Sequence, residues 1–395
     1  MNDLKNNNAF CVAPWVHMHV EPTGDVQLCC ASNWKHQHNK SLGNLNDSTP
    51  MEIWNNDQYR NIRTKMLAGE FLGNYCNACY ERERGAINWT ERQRLNKEFP
   101  EGFNIASTAT QPDGSLEVMD IRYLDIRFNN LCNLKCRTCG PDWSTSWANE
   151  LGIEKLLRYN DSWKKLLPYL SNLEKVYFAG GEPMMTSEHY DFLEHLLDVN
   201  PNVELLYTSN FTRLELKGRH VMDYWPKFKL VSAIASVDHY GEYAAYVRSN
   251  SNYDEVVDNI KEIKAAGYPN IQPAITTVYS LYNATKIGDF IIQLFEDNVI
   301  ESMNQIVFNL LVNPEYQMAT NMPDAALEVA EANTAKGIDY LISRGEDPQK
   351  LINAITWLTT NHKYDKEQFT KFVNYNLRLD KLRNTSLESL YKEFF

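Results

Sequence analysis

Hydrophobic and polar positions divide the chain into a central region of alternating strands and helices and two flanking regions with other patterns. Six segments rich in β-branched and aromatic residues predict strands, namely MDIRYLDIRF, EKVYFAG, VELLYTS, KLVSAIASVD, NIQPAITTVY and QIVFNLLV. Helical patterns such as SEHYDFLEHLLDV and YDEVVDNIKEIKAAG lie between several of them. Strands joined by crossover helices run parallel, and a complete barrel of this kind has eight such units. Residues 117–315 are therefore predicted to form a partial TIM-like (β/α)6 barrel.

The flanks carry other patterns. Residues 1–98 contain WVHMHVEPTGDVQLCC, in which a PTGD turn between two alternating stretches predicts a β-hairpin. Residues 99–116 are rich in Asn, Ser, Thr, Pro and Gly and are predicted to be a linker. Residues 316–395 are helical in pattern. The predicted fold class is α/β, with a small α+β domain before the barrel and a helical region after it.

The composition is that of an ordinary globular protein, with 43% hydrophobic and 23% charged residues. The formal net charge is −12, which disfavours binding to bulk nucleic acid or to an anionic membrane. No apolar run approaches the ~20 residues of a membrane span, and the start MNDLKNNNAF lacks the apolar core of a secretory signal. We therefore expect a soluble, cytoplasmic protein that has neither nucleic acid nor a membrane as a partner.

The cysteines indicate the chemistry. The chain has eight of them, and they are Cys11, Cys29, Cys30, Cys76, Cys79, Cys132, Cys136 and Cys139. In a reducing compartment, clustered cysteines indicate metal or iron–sulfur ligation in preference to disulfides.

The most specific spacing follows the first predicted barrel strand, where Cys132, Cys136 and Cys139 lie in NNLCNLKCRTC. The active sites of such barrels lie at the carboxyl ends of their strands. Three thiolates on a four-iron cluster leave one iron open to a substrate or cofactor. A closed zinc site needs four ligands, and no fourth Cys or His lies in this loop. The spacing favours a cluster but by itself leaves zinc as an alternative.

One βα unit later the chain contains the motif Gly180-Gly181-Glu182-Pro183. With CxxxCxxC after the first strand and GGEP after the second, the sequence resembles the radical S-adenosylmethionine (radical SAM) superfamily. The resemblance implies that Cys132, Cys136 and Cys139 bind a catalytic [4Fe-4S] cluster. It also implies that Gly180, Gly181, Glu182 and Pro183 hold the methionyl amino group of S-adenosylmethionine.

The resemblance extends to three positions at later strand ends. It implies that Asn210 and Ser236 contact the ribose and that Arg248 binds the methionyl carboxylate. Without it, Asn210 reads as a turn residue and Arg248 as a solvated cation. Thr138 stands where the family usually has an aromatic residue near the adenine, so the adenine contacts are not assigned. Members of the family form a 5′-deoxyadenosyl radical that abstracts hydrogen from an unactivated carbon, using an external one-electron donor of the flavodoxin or ferredoxin type.

The N-terminal cysteines lie in CVAPW, GDVQLCC and CNAC, and with LGNL and MEIW these segments resemble the SPASM/Twitch accessory domains. The resemblance implies a second [4Fe-4S] cluster held by Cys11, Cys29, Cys76 and Cys79. Cys30 is an alternative to Cys29 because neighbours on a strand face opposite sides. A structural zinc site is the alternative to the cluster. In most relatives this domain follows the barrel, whereas here it precedes it.

Polar residues alternate with apolar ones along the first barrel strand. Asp125 and Arg127 are predicted to point into the barrel, as candidate substrate contacts or as an internal ion pair. His17 and His19 share a face of the predicted hairpin, as structural histidines or as proton acceptors.

Three functions remain open at this stage. The first is oxidation or modification of a small polar metabolite or short peptide by an oxidoreductase-like radical SAM enzyme. The second is modification of a peptide or protein, and the third is non-catalytic electron transfer or metal binding. GGEP disfavours the third, because an electron carrier needs no site for a methionyl group.

Overall fold

The structure is a computed structural model that describes residues 4–32, 41–84, 90–153 and 161–395. The strands within these ranges are β1 (His17–Val20), β2 (Asp25–Gln27), β3 (Gly43–Asn44), β4 (Tyr123–Ile126), β5 (Lys135–Cys136), β6 (Lys175–Phe178), β7 (Glu204–Ser209), β8 (Glu215–Leu216), β9 (Arg219–His220), β10 (Leu230–Ser236), β11 (Arg248–Ser249), β12 (Ile271–Tyr279) and β13 (Ile306–Leu310). The six predicted barrel strands correspond to β4, β6, β7, β10, β12 and β13.

The α-helices in the same ranges are α1 (Ala13–Val16), α2 (Pro50–Trp54), α3 (Asp57–Leu67), α4 (Gly73–Arg84), α5 (Glu91–Glu98), α6 (Glu101–Thr108), α7 (Thr145–Glu150), α8 (Ser187–Val199), α9 (Gly241–Val247), α10 (Tyr253–Ala265), α11 (Ile287–Glu296), α12 (Asp324–Ser343), α13 (Gln349–Asn361), α14 (Lys366–Arg383) and α15 (Leu387–Leu390). The α/β class and the helical C-terminal region are confirmed. The segment 99–116, for which the sequence predicts a linker, contains helix α6. No helix in the part of the chain that the structure describes is long and apolar enough to cross a lipid bilayer.

The first compact unit comprises residues 1–132, 154–207 and 215–231. Its main sheet has the strand order β3-β2-β1-β4-β6-β7. The predicted hairpin is present, since β1 and β2 pair in antiparallel fashion. Strand β1 also pairs in parallel with β4, and β4, β6 and β7 continue the parallel pairing. The N-terminal hairpin therefore extends the sheet that contains the first barrel strand.

Residue alternation gives this sheet one apolar face. Leu124 and Val176 are paired in register on β4 and β6, as are Ile126 and Phe178, and all four are buried. Phe178 packs against Phe192 of α8 with ring centroids 5.8 Å apart. Since adjacent strand residues face opposite sides, the polar residues of β4 lie on the other face of the sheet.

The second compact unit comprises residues 133–153, 208–214 and 232–395. Strand β12 lies between β10 and β13 and pairs with β13 in parallel. Helices α11 and α12 approach so closely that a Cβ on Gly288 would stand 1.9 Å from the carbonyl oxygen of Asn333. Strands β5 and β11 form a separate antiparallel pair, which carries Cys136 opposite Arg248.

Candidate functional site

Four N-terminal cysteines line one cavity of the first unit. The cavity has about 330 Å³ of empty space, part of it open to solvent. Its lining consists of Cys11, Ala13, Leu28, Cys29, Ala31, Tyr75, Cys76, Cys79, Glu91, Arg92 and Leu95. Cys76 and Cys79 lie three residues apart on α4, a spacing that puts both thiols on the same face of the helix. The structure thus brings together the four cysteines that the resemblance assigns to the auxiliary cluster.

Hydrogen bonds hold the segment that carries Cys11 against the neighbouring helices. Asn96 of α5 accepts from the backbone N–H of Val12 at 2.9 Å and donates to the carbonyl of Phe10 at 3.2 Å. Arg92 donates to the same carbonyl at 3.0 Å. The backbone on either side of Cys11 is therefore held by side chains of α5, which lie outside the sequence motif that contains the cysteine.

Electrostatics in the cavity disfavour four ionised thiols in the absence of a cation. Burial raises the pKa of Cys11 well above its usual value, and the neighbouring Cys76 and Cys79 raise it further. Burial, together with Cys79, raises the pKa of Cys76 to about 12. Ligation needs thiolates, so this set suits a cationic centre that stabilises the charged form.

Cys30 does not line the cavity and is exposed, whereas Cys29 lines it. We expect Cys29→Ala to lose the auxiliary centre, so that iron per chain falls by about half after anaerobic reconstitution. The matched variant Cys30→Ala should keep its full iron content. Iron and sulfide analysis of both variants checks this, and the opposite result would assign the ligand to Cys30.

The GGEP turn of the first unit packs on the residues just before Cys132. A Cβ on Gly181 would stand 2.4 Å from the carbonyl oxygen of Leu131, so the close approach of the two backbones requires glycine. The backbone N–H of Glu182 donates to that same carbonyl at 2.7 Å. The glycines therefore bring the turn against the start of the cysteine loop, a packing role that the sequence did not reveal.

Glu182 is buried, and its carboxylate accepts from the backbone N–H of Met184 at 3.2 Å. Pro183 occupies the first position of the short helical turn that follows. This arrangement fixes the carboxylate for which the resemblance implies contact with the methionyl amino group.

In the second unit, Cys136 lies beside a cationic side chain. Nη1 of Arg248 is 3.8 Å from the Cys136 sulfur, and its Nε donates to Asp238 at 2.8 Å. Asp238 also accepts from the backbone N–H of Val278 at 2.8 Å. Desolvation raises the pKa of the Cys136 thiol, and the Arg248 guanidinium opposes that shift. Cys139 follows in the same turn, where its N–H donates to the Cys136 carbonyl at 3.0 Å.

The two predicted ribose contacts lie at strand ends. Ser236 is the last residue of β10, and Asn210 directly follows β7. Asn210 donates to the side chain of Asn133 at 2.9 Å and accepts from the backbone N–H of Thr212 at 3.0 Å. Asn210 thereby connects its own turn to the cysteine loop of the same unit.

Arg137 lies between two of the loop cysteines and was not singled out from the sequence. Its guanidinium is fully buried and contacts helix α14, where it donates to Asn376 at 2.8 Å and to Asp380 at 2.6 Å. It also stacks over the ring of Tyr246 at 3.6 Å. The Arg137 carbonyl accepts from Tyr375 at 2.9 Å. The C-terminal helix therefore holds the cysteine loop through both the side chain and the backbone of Arg137.

We expect Arg137→Ala to cost about 3–5 kcal/mol of unfolding free energy, because it leaves the Asp380 carboxylate buried without its cation. The matched control is Arg378→Ala, an exposed arginine on the same helix, which should change stability by less than about 0.5 kcal/mol. Denaturant unfolding of both variants checks this. Equal stability of the two would show that the buried contact contributes nothing.

Asp125 and Arg127, the predicted substrate contacts, lie together in the first unit with Nη2 3.6 Å from Oδ2. His19 also reaches this pair, with Nδ1 2.7 Å from the same oxygen, Asp125 Oδ2. The parallel pairing of β1 with β4 makes this arrangement, and no local sequence signal predicts such a pairing.

Comparison with known proteins gives partial matches. GTP 3',8-cyclase of Aliarcobacter butzleri is 27% identical over 104 residues, which are 26% of this chain and 31% of that protein. The GTP 3',8-cyclase of Nautilia profundicola is 26% identical over 152 residues, or 37% of this chain and 45% of that protein. The chain thus matches less than half the length of these curated relatives.

Solved structures also overlap with it in part. The crystal structure of Streptococcus suis SuiB has a TM-score of 0.41 and 15% identity, covering 74% of this chain and 63% of SuiB. The structure of anSMEcpe with bound AdoMet has a TM-score of 0.40 and 16% identity, covering 57% of this chain and 62% of that one.

Two family models match separate parts of the chain. The model of the radical SAM superfamily matches residues 126–286, and that of SPASM, an iron–sulfur cluster-binding domain, matches residues 11–80. Together the two domains imply S-adenosylmethionine and [4Fe-4S] clusters as cofactors. The chain therefore contains a region that matches the radical SAM superfamily, and before it a region that matches a SPASM-type iron–sulfur cluster-binding domain.

Proposed function

We propose that this protein is a cytoplasmic radical SAM enzyme that removes a hydrogen atom from an unactivated carbon of a small polar metabolite or short peptide, with net oxidation of the substrate. The observation that carries the proposal is the packing of the GGEP turn on Leu131, directly before Cys132. A protein that only carried electrons would need neither this turn nor the buried carboxylate of Glu182 within it.

The residues present fit the two kinds of cofactor. Cys132, Cys136 and Cys139 would hold the catalytic cluster, and their loop lacks a fourth Cys or His, which leaves a coordination position for S-adenosylmethionine. When bound, S-adenosylmethionine and the reduced cluster supply a 5′-deoxyadenosyl radical. Glu182 would accept from the methionyl ammonium, and Arg248 would bind the carboxylate. Asn210 and Ser236 would bind the ribose.

The placement of the four thiols in the first unit disfavours a single zinc ion. A zinc ion holds four sulfurs at about 2.3 Å, and these sulfurs must converge on one point. Among the residues that the structure describes, no group of three His, Cys, Asp or Glu side chains is placed to hold one metal ion. The four thiols instead line one cavity, which is partly open to solvent. Cys11, Cys29, Cys76 and Cys79 would hold a cluster there, and a cluster with four thiolates suits electron transfer.

The curated relatives are named for a reaction on GTP, which makes a nucleoside triphosphate an alternative substrate. The described side chains near Asp125 give it no support, because the carboxylates of Asp125 and Glu21 offset the positive charges of Arg127 and His19 and leave none in excess for a triphosphate. Carboxylates repel a triphosphate. Modification of a peptide or protein remains the second alternative, and an external flavodoxin or ferredoxin would supply the electron in each case.

The test is anaerobic incubation of reconstituted protein with dithionite and S-adenosylmethionine. We expect 5′-deoxyadenosine and methionine by mass spectrometry, with none formed when dithionite is omitted. Stoichiometric zinc without the visible absorption of iron–sulfur clusters, and no 5′-deoxyadenosine, would overturn the proposal.

A further inference from the structure

The parallel pairing of β1 with β4 places a group of polar side chains on one face of the first unit. Alternate residues of a strand face the same side, and the register pairs His19 with Asp125. The side chains on this shared face, which we call the inner polar cluster, are those of His17, His19, Glu21, Asp125 and Arg127.

Charged contacts connect most members of the cluster. The two ring nitrogens of His19 lie 2.7 Å from Asp125 Oδ2 and 2.8 Å from Glu21 Oε1. Arg127 Nη1 contacts the same His19 ring and lies 3.4 Å from Glu21 Oε1. Each carboxylate therefore uses one oxygen within the cluster.

The other oxygen of each carboxylate is buried and accepts no hydrogen bond from the described residues: these atoms are Asp125 Oδ1 and Glu21 Oε2. His17 adds a third such acceptor. Its Nδ1 donates to the Tyr123 carbonyl at 3.0 Å, and burial lowers its pKa to about 3, so the ring is neutral and Nε2 carries a lone pair. Nε2 has no partner in the described part of the chain. Buried acceptors without donors are costly, so three on one face indicate a missing ligand that donates.

The charges of the cluster define the ligand further. Burial raises the pKa of Asp125, but Arg127 and His19 outweigh that effect and bring it to about 2. Burial and Arg127 lower the pKa of His19, while Asp125 and Glu21 raise it more. Two carboxylates are thus balanced by the guanidinium and by a histidine that favours its cationic form. A cluster with balanced charges has no excess charge to attract an ion. Its unpartnered atoms are all hydrogen-bond acceptors, so they suit a neutral ligand that donates hydrogen bonds.

The position of the cluster matches that of a substrate. Glu21 and Arg127 follow the carboxyl ends of the parallel strands β1 and β4, the edge where ligands bind in such sheets. Their side chains are 14% and 12% exposed, so the cluster reaches the surface at this edge through these two residues, with its three unpartnered acceptor atoms buried behind them. Gly180 of the GGEP turn lies against Arg127, since a Cβ there would stand 3.1 Å from the Arg127 Cβ.

On its other side the cluster connects to the cysteine-lined cavity. The His17 ring stacks on Tyr123 at 4.4 Å, and the guanidinium of Arg94 lies 5.2 Å from the same tyrosine ring. Arg94 pairs with Glu91 at 2.6 Å, and Glu91 lines the cavity. The inner polar cluster therefore has the GGEP turn on one side and the cavity on the other.

We propose that the inner polar cluster binds the substrate, and that this substrate is a small, neutral, polyhydroxylated molecule of the sugar or polyol class whose hydroxyls donate to Asp125, Glu21 and His17. Neighbouring strands are about 4.8 Å apart, and alternate residues on one strand are about 6.6 Å apart. Several hydroxyls on one small ring span such distances. The inference rests on the proposed function and names its substrate class.

Deuterium transfer tests it directly. Homolysis of a substrate C–D bond moves the deuterium atom to the 5′ carbon, so the 5′-deoxyadenosine gains one mass unit. Reduced enzyme receives, in separate arms, a mixture of carbon-deuterated monosaccharides and polyols, carbon-deuterated short peptides, and carbon-deuterated nucleoside triphosphates. We expect labelled 5′-deoxyadenosine from the first arm alone.

Two isosteric variants connect the signal to the cluster. In Asp125→Asn and Glu21→Gln, the remaining oxygen can still accept from His19, while the amide places a donor where the unpartnered acceptor was. Each should reduce labelling by about tenfold, because a hydroxyl then faces a donor. The control Asp120→Asn, before the other end of β4, should leave labelling unchanged. Iron content and melting temperature show whether each variant is folded. If Asp125→Asn does not fold, the loss of labelling is measured on Glu21→Gln alone.

Failure of this inference differs from failure of the proposed function. If no arm yields 5′-deoxyadenosine and none forms without substrate, the proposed function falls. If 5′-deoxyadenosine forms but the label comes from peptides, from nucleotides or from no arm, the substrate class is wrong. If deuterated sugars label 5′-deoxyadenosine equally well with the variants and with the native enzyme, the cluster does not bind the substrate and is an internal ion network.

Discussion

Replacement of Cys132, Cys136 and Cys139 together by Ala should abolish 5′-deoxyadenosine formation while leaving about half of the iron. The native chain should hold about eight irons, four in each of two clusters, and these three thiols serve only one of them. Without that cluster there is no site at which S-adenosylmethionine can accept an electron. Iron analysis, with mass spectrometry of the reaction mixture, measures both effects.

The control for this triple variant is Cys30→Ala, which removes an exposed thiol that is not part of the lining of the cysteine cavity. It should retain both the iron and the 5′-deoxyadenosine of the native protein. Reductive cleavage at the native rate by the triple variant would refute the assignment of the loop.

The second large effect is expected from Cys76→Ala combined with Cys79→Ala, which removes two adjacent thiols of the cavity. Dithionite-reduced protein should still form 5′-deoxyadenosine, since only the cluster with the open iron is needed for that step. Oxidised product should fall to background, because the electron that leaves the substrate radical then lacks its acceptor. Product analysis and 5′-deoxyadenosine yield are measured on the same samples.

A folded double variant is required for this comparison, and circular dichroism together with retention of about four irons would establish it. Native turnover of substrate by such a variant would make the N-terminal domain a structural element, and the assignment of a net oxidation would fall. The two cysteine experiments thus separate formation of the radical from removal of the second electron.

Much of the fold could be predicted from local pattern. Strands such as β7 and β10 show period-two alternation of apolar residues, and helices such as α8 and α10 show the helical period, so short windows suffice to predict them. The candidate cluster loop was equally accessible, because CxxxCxxC is a spacing within one loop. The auxiliary thiols required the resemblance as well, since Cys11 and Cys76 are distant in sequence.

The contacts between distant segments could not be predicted. Arg137 donates hydrogen bonds to residues of α14, so the attachment of the cysteine loop to this helix depends on residues more than two hundred positions away. The contact of His19 with Asp125 depends on parallel pairing of β1 with β4, and strand alternation does not specify which strand will be the neighbour.

The sequence by itself therefore determined the six barrel strands and helices such as α8 and α10, the cysteine spacing and the GGEP motif, because each is encoded within a short window of chain. The tertiary structure alone decided that Cys29 and not Cys30 lines the cavity, that Gly181 packs on Leu131, and that the N-terminal hairpin completes a polar face beside Asp125. The physical reason is that burial and hydrogen-bond satisfaction are properties of packed neighbours, and neighbours exist only once the chain has folded.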